Sequence, residues 1–443
     1  MGLEVPIGWL TLLMFGSLLV LLMAGLPLAF VTGGLACVFL FILGDSHSLN
    51  MVPSRIYPLM TDYQLSAIPL FILMATMLER AGVIQEMFDV IYKLLGGIRG
   101  GLASATVFAS TILAAMVGII GAAVVTMGII ALPAMLRRKY DPKIAMGAIM
   151  AGGTLGILIP PSILAIIYAV VAEQSVGELF IGSVVPGLML SGMYVTYISV
   201  RCFLNPSLGP AIPVEERLDA TEKLKLLGTM LAPIILIAVV LGVIFTGVAT
   251  PVEAAGIGTF GSFVVAALHR RLSWETVHEA CVTTLKASAM VLWIMFGATV
   301  FVGLYNFHGG QQFVAGALES TGFGRWGILI IMQIILVVLG MFLDWVGILL
   351  LCVPIFVPII KSLGFDPLWF GVLYLVNMQM SFLSPPFGYA LFYLRSVAPP
   401  EIPMIDIYKA SLPFLGIQVF ALALCMSYPP IITWLPRLVY GSG

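Results

Sequence analysis

The sequence predicts an all-α polytopic membrane protein made of two inverted repeats, each with a re-entrant hairpin and a broken helix. Three observations predict it. The 443 residues are 61% hydrophobic and only 9% charged, too little charge to cover a large soluble protein. Several apolar runs reach the roughly 20 residues that span a bilayer core. Two segments also repeat one pattern, DPKIAMGAIMAGGTLGILIPP at 141–161 and DPLWFGVLYLVNMQMSFLSPP at 366–386. The offset of 225 further aligns Pro133 with Pro358, Gly97 with Gly322 and Tyr168 with Tyr393.

Residues 9–25 and 27–45 read as two spans divided near Pro27. Residues 46–64 are more polar and are expected at the interface. Residues 65–92 read as a third span. Residues 101–136 are apolar, with Gly118 and Gly121 at the middle and basic residues on both flanks (Arg99; Arg137, Arg138, Lys139). Charges at both ends favour a hairpin that enters and leaves on one side. A broken span follows at 142–170, then a return span at 183–203 and a polar linker at 204–225. The second half repeats the plan with spans at 226–247 and 254–268, an amphipathic segment at 270–285 and a span at 286–306. A second hairpin at 326–360, a broken span at 367–396 and a last span at 410–430 complete it.

Charge tests the topology. If the first hairpin opens to the cytoplasm, fourteen Lys and Arg residues fall on cytoplasmic segments. The outer segments hold four, Arg55, Arg325, Lys361 and Arg437. That is a strong positive-inside bias. It supports both hairpins and places both termini outside. Residues 1–8 lack a basic n-region, so the apolar start is read as a span and not a cleavable signal peptide.

Two prolines in tandem remove two backbone donors and clash with the preceding turn. Gly152, Gly153 and Gly156 before Pro160-Pro161 are expected to permit backbone conformations that other residues avoid. A break at membrane depth survives only where protein, water or an ion satisfies the freed backbone groups. Carbonyl oxygens and the Thr154 hydroxyl are suitable ligands for a hard cation such as sodium. The half-helix after Pro161 presents partial positive charge to an anion. The second break has Asn377, Gln379, Ser381 and Ser384 in place of the glycines. Asp344, at the middle of the second hairpin, is a functional candidate by its depth. It either ligates a cation or caps the following half-helix. At the first hairpin tip, Thr126 is the nearest polar residue. Glu253, after Thr250-Pro251, reads as an ordinary helix start. Glu79-Arg80 reads as interfacial.

The five cysteines and four histidines are dispersed, without disulfide or metal spacing. GxSxG, HExxH and Walker motifs are missing, so neither hydrolytic chemistry nor ATP driving has support. No enzyme activity, organic cofactor or nucleic-acid partner is expected.

GGTLGILIPPS at 152–162, TPVEAAG at 250–256 and FLD at 342–344 resemble the large permease (DctM-like) subunit of TRAP transporters over nearly the whole chain. The resemblance implies ATP-independent tripartite uptake across a bacterial inner membrane. A periplasmic DctP-like protein would capture a small organic acid, and a small DctQ-like membrane subunit would brace the large one within the lipid. It further implies an elevator-type fold related to sodium-coupled carriers. Residues 1–92 and 204–308 would form scaffold and linker, and residues 93–203 and 309–435 the transport domain. Sodium ions would couple transport at two sites, Gly118, Gly121, Gly153, Thr154 and Gly156 at the first, and Asp344, Gly347, Gln379 and Ser381 at the second. Ser162, Asn377 and Ser384 would orient the carboxylate. A stand-alone sodium/carboxylate carrier would share these motifs. The chain departs from the common family text at the serine-free first tip, at DWVG in the second tip and at Val252, which points to a subfamily with its own substrate.

Overall fold

The computed structural model describes residues 5–44, 46–117, 120–211, 226–228 and 230–441, and among them the regular structure is helical throughout. Helices α1 (Ile7–Met23) and α2 (Leu28–Leu43) are divided at Pro27, which precedes the first turn of α2. The polar segment holds α3 (Met51–Met60). The expected single span at 65–92 is instead two helices, α4 (Ala67–Arg80) and α5 (Val83–Leu95). Gly82 between them has φ +68°, a left-handed conformation that ends a helix and that glycine adopts without a Cβ penalty. α5 is amphipathic, with Val83, Ile84, Met87 and Phe88 buried and Gln85 and Asp89 exposed.

The first hairpin is α6 (Gly101–Val117) and α7 (Ile120–Arg137). Both arms pack on α8 (Pro142–Thr154). A 3₁₀ turn at Leu155–Ile157 ends α8, and α9 (Ile163–Ala172) resumes after Pro160-Pro161. The return helix α10 (Val176–Leu204) begins earlier than expected, capped by Ser175.

The second half contains α11 (Leu231–Phe245), α12 (Pro251–Leu268) and α13 (Trp274–Phe307). The expected amphipathic segment at 270–285 and span at 286–306 are one continuous helix of 34 residues. Nothing in that stretch breaks it, since Pro is lacking from it and Ser273 caps its start. In the first repeat the matching stretch, His47–Met60 and Tyr63–Arg80, is bent by 63°, with Asp62 capping the turn at the bend. Then follow α14 (Gly310–Glu319), the hairpin arms α15 (Arg325–Gly340) and α16 (Trp345–Ser362), the broken pair α17 (Pro367–Leu383) and α18 (Tyr389–Val397), and α19 (Met404–Ser427) and α20 (Pro430–Tyr440).

The repeat is kept element for element. α7 and α16 start 225 residues apart, as do α8 and α17. Asp141 and Asp366 cap the latter pair, accepting from Lys143 N at 2.9 Å and Leu368 N at 2.8 Å. Both Pro-Pro bonds are cis. Each hairpin is closed at its base by a repeat-related aromatic residue. Leu102 N donates to the Tyr140 hydroxyl at 3.2 Å. Phe365, the mate of Tyr140, packs edge-on against Trp326 at 5.1 Å. The two ends of each hairpin therefore emerge together, as re-entrant segments must.

Helix contacts link the two halves. α4 packs on α12 and α13, and α2 on α13. Thr76 and Thr284 hydroxyls lie 3.1 Å apart. Two exposed ion pairs, Arg80–Glu279 at 2.8 Å and Arg271–Glu86 at 2.9 Å, add little stability in water but locate the polar end of this layer. Glu253 and Thr250 form a reciprocal capping box, with Glu253 Oε2 accepting from Thr250 N at 2.8 Å, the ordinary helix start expected of it.

Candidate functional site

The two breaks differ in how they seat their hairpins. Gly152 and Gly153 are helical, and neither has positive φ. Their use is close approach, which corrects the conformational role expected of them. A Cβ on Gly152 would stand 2.8 Å from Ser110 of α6. One on Gly153 would overlap Val124 of α7. Consecutive glycines thus admit one arm each. Gly156 lies in the buried 3₁₀ turn. Gly118 lies outside the described residues. Gly121 turns away from its own broken helix, and a Cβ there would stand 3.0 Å from the Tyr393 ring of the second repeat.

The second seat uses amides. Asn377, the repeat mate of Gly152, donates to Gln333 O at 2.9 Å and to Gln333 Oε1 at 2.7 Å. Gln333 is a lone amide in an apolar arm that the sequence reading passed over. Its isolation within ILIIMQIILVV was the available signal, because a buried amide must find a partner. Ser381, the mate of Gly156, packs under Gly340, where a Cβ would overlap it. Ser381 Oγ also donates to Leu336 O at 3.4 Å. Gly347 faces elsewhere and packs on Leu28 of α2.

Local caps absorb the freed backbone. Ser162 Oγ donates to Ile157 O at 2.6 Å and accepts from Ala165 N at 3.3 Å. Ser384 Oγ donates to Met380 O at 2.7 Å. Tyr408 donates to Pro386 O at 2.9 Å. The three residues expected to orient substrate, Ser162, Asn377 and Ser384, are thus buried, internally bonded and not brought together.

Asp344 caps α16, accepting from Val346 N at 3.2 Å. Of its two expected roles, the cap is the one the geometry displays. Asp344 is half-buried, and Phe342, two residues before it, packs against Phe387 at the start of α18, with ring centroids 5.7 Å apart. Tyr389 and Tyr393 stand one turn apart on α18, with rings 6.4 Å apart. Tyr393 is 37% exposed. Phe342 and Gly121 together bring both hairpin tips to one half-helix. Tyr389 was missed from the sequence; its i, i+4 spacing to Tyr393 after a Pro-Pro break was the signal. Thr154 and Gln379, assigned to separate ion sites, meet each other at 3.5 Å.

The family model for the tripartite ATP-independent periplasmic transporter DctM component matches residues 15–431. The chain belongs to the DctM family. It is 31% identical to the C4-dicarboxylate TRAP transporter large permease protein DctM of Vibrio cholerae, over 97% of this chain and 98% of that one. It is 32% identical to the Pseudomonas aeruginosa protein of the same description, over 91% and 93%. It is 30% identical to the sialic acid large permease SiaM of V. cholerae, over 96% and 97%. The fold resembles the Alcanivorax borkumensis YdaH transporter, with TM-score 0.66 at 15% identity over 95% of this chain and 99% of that one. The Neisseria gonorrhoeae efflux pump MtrF gives 0.60 at 14% over 90% and 86%. This DctM-family protein is therefore a multi-pass membrane permease component and not an enzyme.

Proposed function

We propose that this DctM-family chain imports a small carboxylate by sodium-coupled elevator transport across a bacterial inner membrane. It would work with a DctQ-like small subunit and a DctP-like periplasmic binding protein. The observation that carries the reading is that Gly121 of the first hairpin packs against Tyr393, while Phe342, two residues before Asp344 in the second, packs against Phe387 at the start of the same half-helix. A cation near Asp344 offsets its charge, and the half-helix N-terminus at Gly388 attracts an anion. The tyrosine hydroxyls supply hydrogen-bond donors to a carboxylate. On this reading, sodium held at the hairpin seats orders the tips, raising substrate affinity. By linkage, substrate raises sodium affinity by the same factor. Residues 93–203 and 309–435 move as the transport domain against 1–92 and 204–308. The charge asymmetry supports periplasmic termini on this reading.

The C4-dicarboxylate relatives favour a small diacid over a bulky sugar acid, since two of the relatives named above carry that description. The test is reconstitution in liposomes with both partners. Uptake of the solute bound by the cognate receptor should require an inward sodium gradient. Equal uptake with a proton gradient alone, or with none, rejects sodium coupling.

A further inference from the structure

Where the two broken helices cross, four side chains from four helices meet. They are Thr154 of α8, Gln379 of α17, Tyr194 of α10 and Gln418 of α19. All four are 0% exposed. Thr154 and Gln379 are repeat mates, 225 residues apart, and α10 and α19 are the next helices after each broken pair. The cluster therefore lies where the two repeats face each other.

Its hydrogen bonding does not close. Thr154 commits its single proton to Ala151 O at 2.8 Å. Its Oγ1 then accepts from Gln418 Nε2 at 3.4 Å. Gln379 Oε1 stands 3.5 Å from that same oxygen with no proton left to join them. Three buried groups remain without a partner, Gln379 Nε2, Gln418 Oε1 and the Tyr194 hydroxyl. Tyr194 is directed at Gln418 and Thr154, yet reaches hydrogen-bond geometry with neither. Turning the Gln379 amide gives Thr154 a second donor but orphans the amide oxygen. Turning Gln418 removes the donor that Thr154 has. No arrangement of these side chains satisfies all of them.

The separations are about half an ångström longer than ordinary hydrogen bonds, so the groups are held slightly apart. The orphaned set is mixed, comprising an amide N–H, an amide oxygen and a hydroxyl. With the Gln379 amide as placed, a bare cation would face its N–H; with the amide turned, the cation would find three neutral oxygens and no carboxylate. Water donates and accepts, and a buried water needs two to four polar partners. We propose that one buried water molecule is bound at this crossing. It accepts from Gln379 Nε2 and donates to Gln418 Oε1, with the Tyr194 hydroxyl completing its shell. The water ties together four helices. Among them, α8 seats the first hairpin through Gly153 and α17 seats the second through Ser381. The site thus braces one hairpin seat against the other, whatever solute or ion the protein carries.

The test is a cryo-EM map of the full chain with its small subunit in a nanodisc, resolved finely enough to show ordered water. A peak within hydrogen-bond distance of Gln379, Gln418 and Tyr194 is expected, in sodium and in choline buffer alike. Well-ordered side chains with no peak between them overturn the proposal. A peak seen only in sodium also overturns it, and marks a cation. Tyr194→Phe keeps the ring and removes one partner of the water. Its melting temperature should fall by a few degrees, with the sodium concentration for half-maximal stabilisation unchanged. An unchanged melting temperature, or a threefold or greater shift in that concentration, counts against the water.

Discussion

The two broken helices share one backbone plan and seat their hairpins by opposite means. In the first repeat Gly152 and Gly153 remove side chains, so the arms come close through Ser110 and Val124. In the second, the same positions hold Asn377 and Met378, both 0% exposed, and a hydrogen bond from the Asn377 amide to Gln333 replaces close packing. The half-helices after the breaks diverge as well. Tyr168 is fully buried, donates to Pro367 O at 2.9 Å and lies 5.7 Å from the Tyr374 ring. Its mate Tyr393 is partly exposed over the first hairpin tip. One half is sealed as structure, and the other keeps polar groups open at the meeting of the tips. A duplicated fold thus places two equivalent seats while letting one side keep polar groups exposed.

Volume changes at the mated positions should break this contrast most strongly. Met378→Ala opens a cavity in a fully buried site and should cost about 2–5 kcal/mol. Gly153→Leu forces the α7 arm away from its seat and should cost about 1–3 kcal/mol, with loss of uptake. Thermal melting of the purified variants measures both; a neutral Gly153→Leu would remove the close-packing account of the first break.

Gln333→Leu should come next, at about 0.5–1.5 kcal/mol, because it removes one of the two acceptors of the Asn377 amide. Adding Asn377→Leu should recover part of that loss. Additive costs in the double-mutant cycle would mean that the two amides do not act as a pair.

Asp344→Ala should cost about 1 kcal/mol through the lost cap. Asp344→Asn keeps a capping oxygen, so its stability should stay close to that of the parent. If Asp344 also serves sodium, the Asn variant alone separates the roles, with its sodium dependence shifted and its melting preserved. Identical sodium dependence in both variants would leave the cap as its whole role.

The tyrosine pair sharpens the comparison at the smallest scale. Tyr168→Phe should lower stability by about 0.5–1.5 kcal/mol with little change in KM. Tyr393→Phe should leave melting unchanged and raise KM for uptake. The reverse assignment of effects would place recognition in the first repeat.

Much of the fold was legible because its signals are local. Asp141 and Asp366 before Pro142 and Pro367 announce helix starts, and Pro-Pro announces each break. The hairpins followed from apolar runs flanked by basic residues. Two boundaries were read wrongly. Gly82 ends α4 just after Glu79-Arg80, where a lone glycine gave too weak a signal. The charged stretch at 270–285 suggested an interfacial segment, yet it continues into the long helix α13. Periodicity reports which face is polar and not where the helix axis turns.

The site was legible only as a set of residue types. The sequence by itself determined the repeat, the four arms of the two hairpins, the two breaks and the presence of a carboxylate at the second hairpin turn, Asp344. Tertiary structure alone decided the partners. It joined Asn377 to Gln333, set Thr154 against Gln379, aimed Gly121 at Tyr393 and turned Gly347 toward Leu28 of α2. The physical reason is that capping and helix breaking act within a turn or two of the chain. Close packing and buried hydrogen bonds depend on which distant helix arrives at the same place.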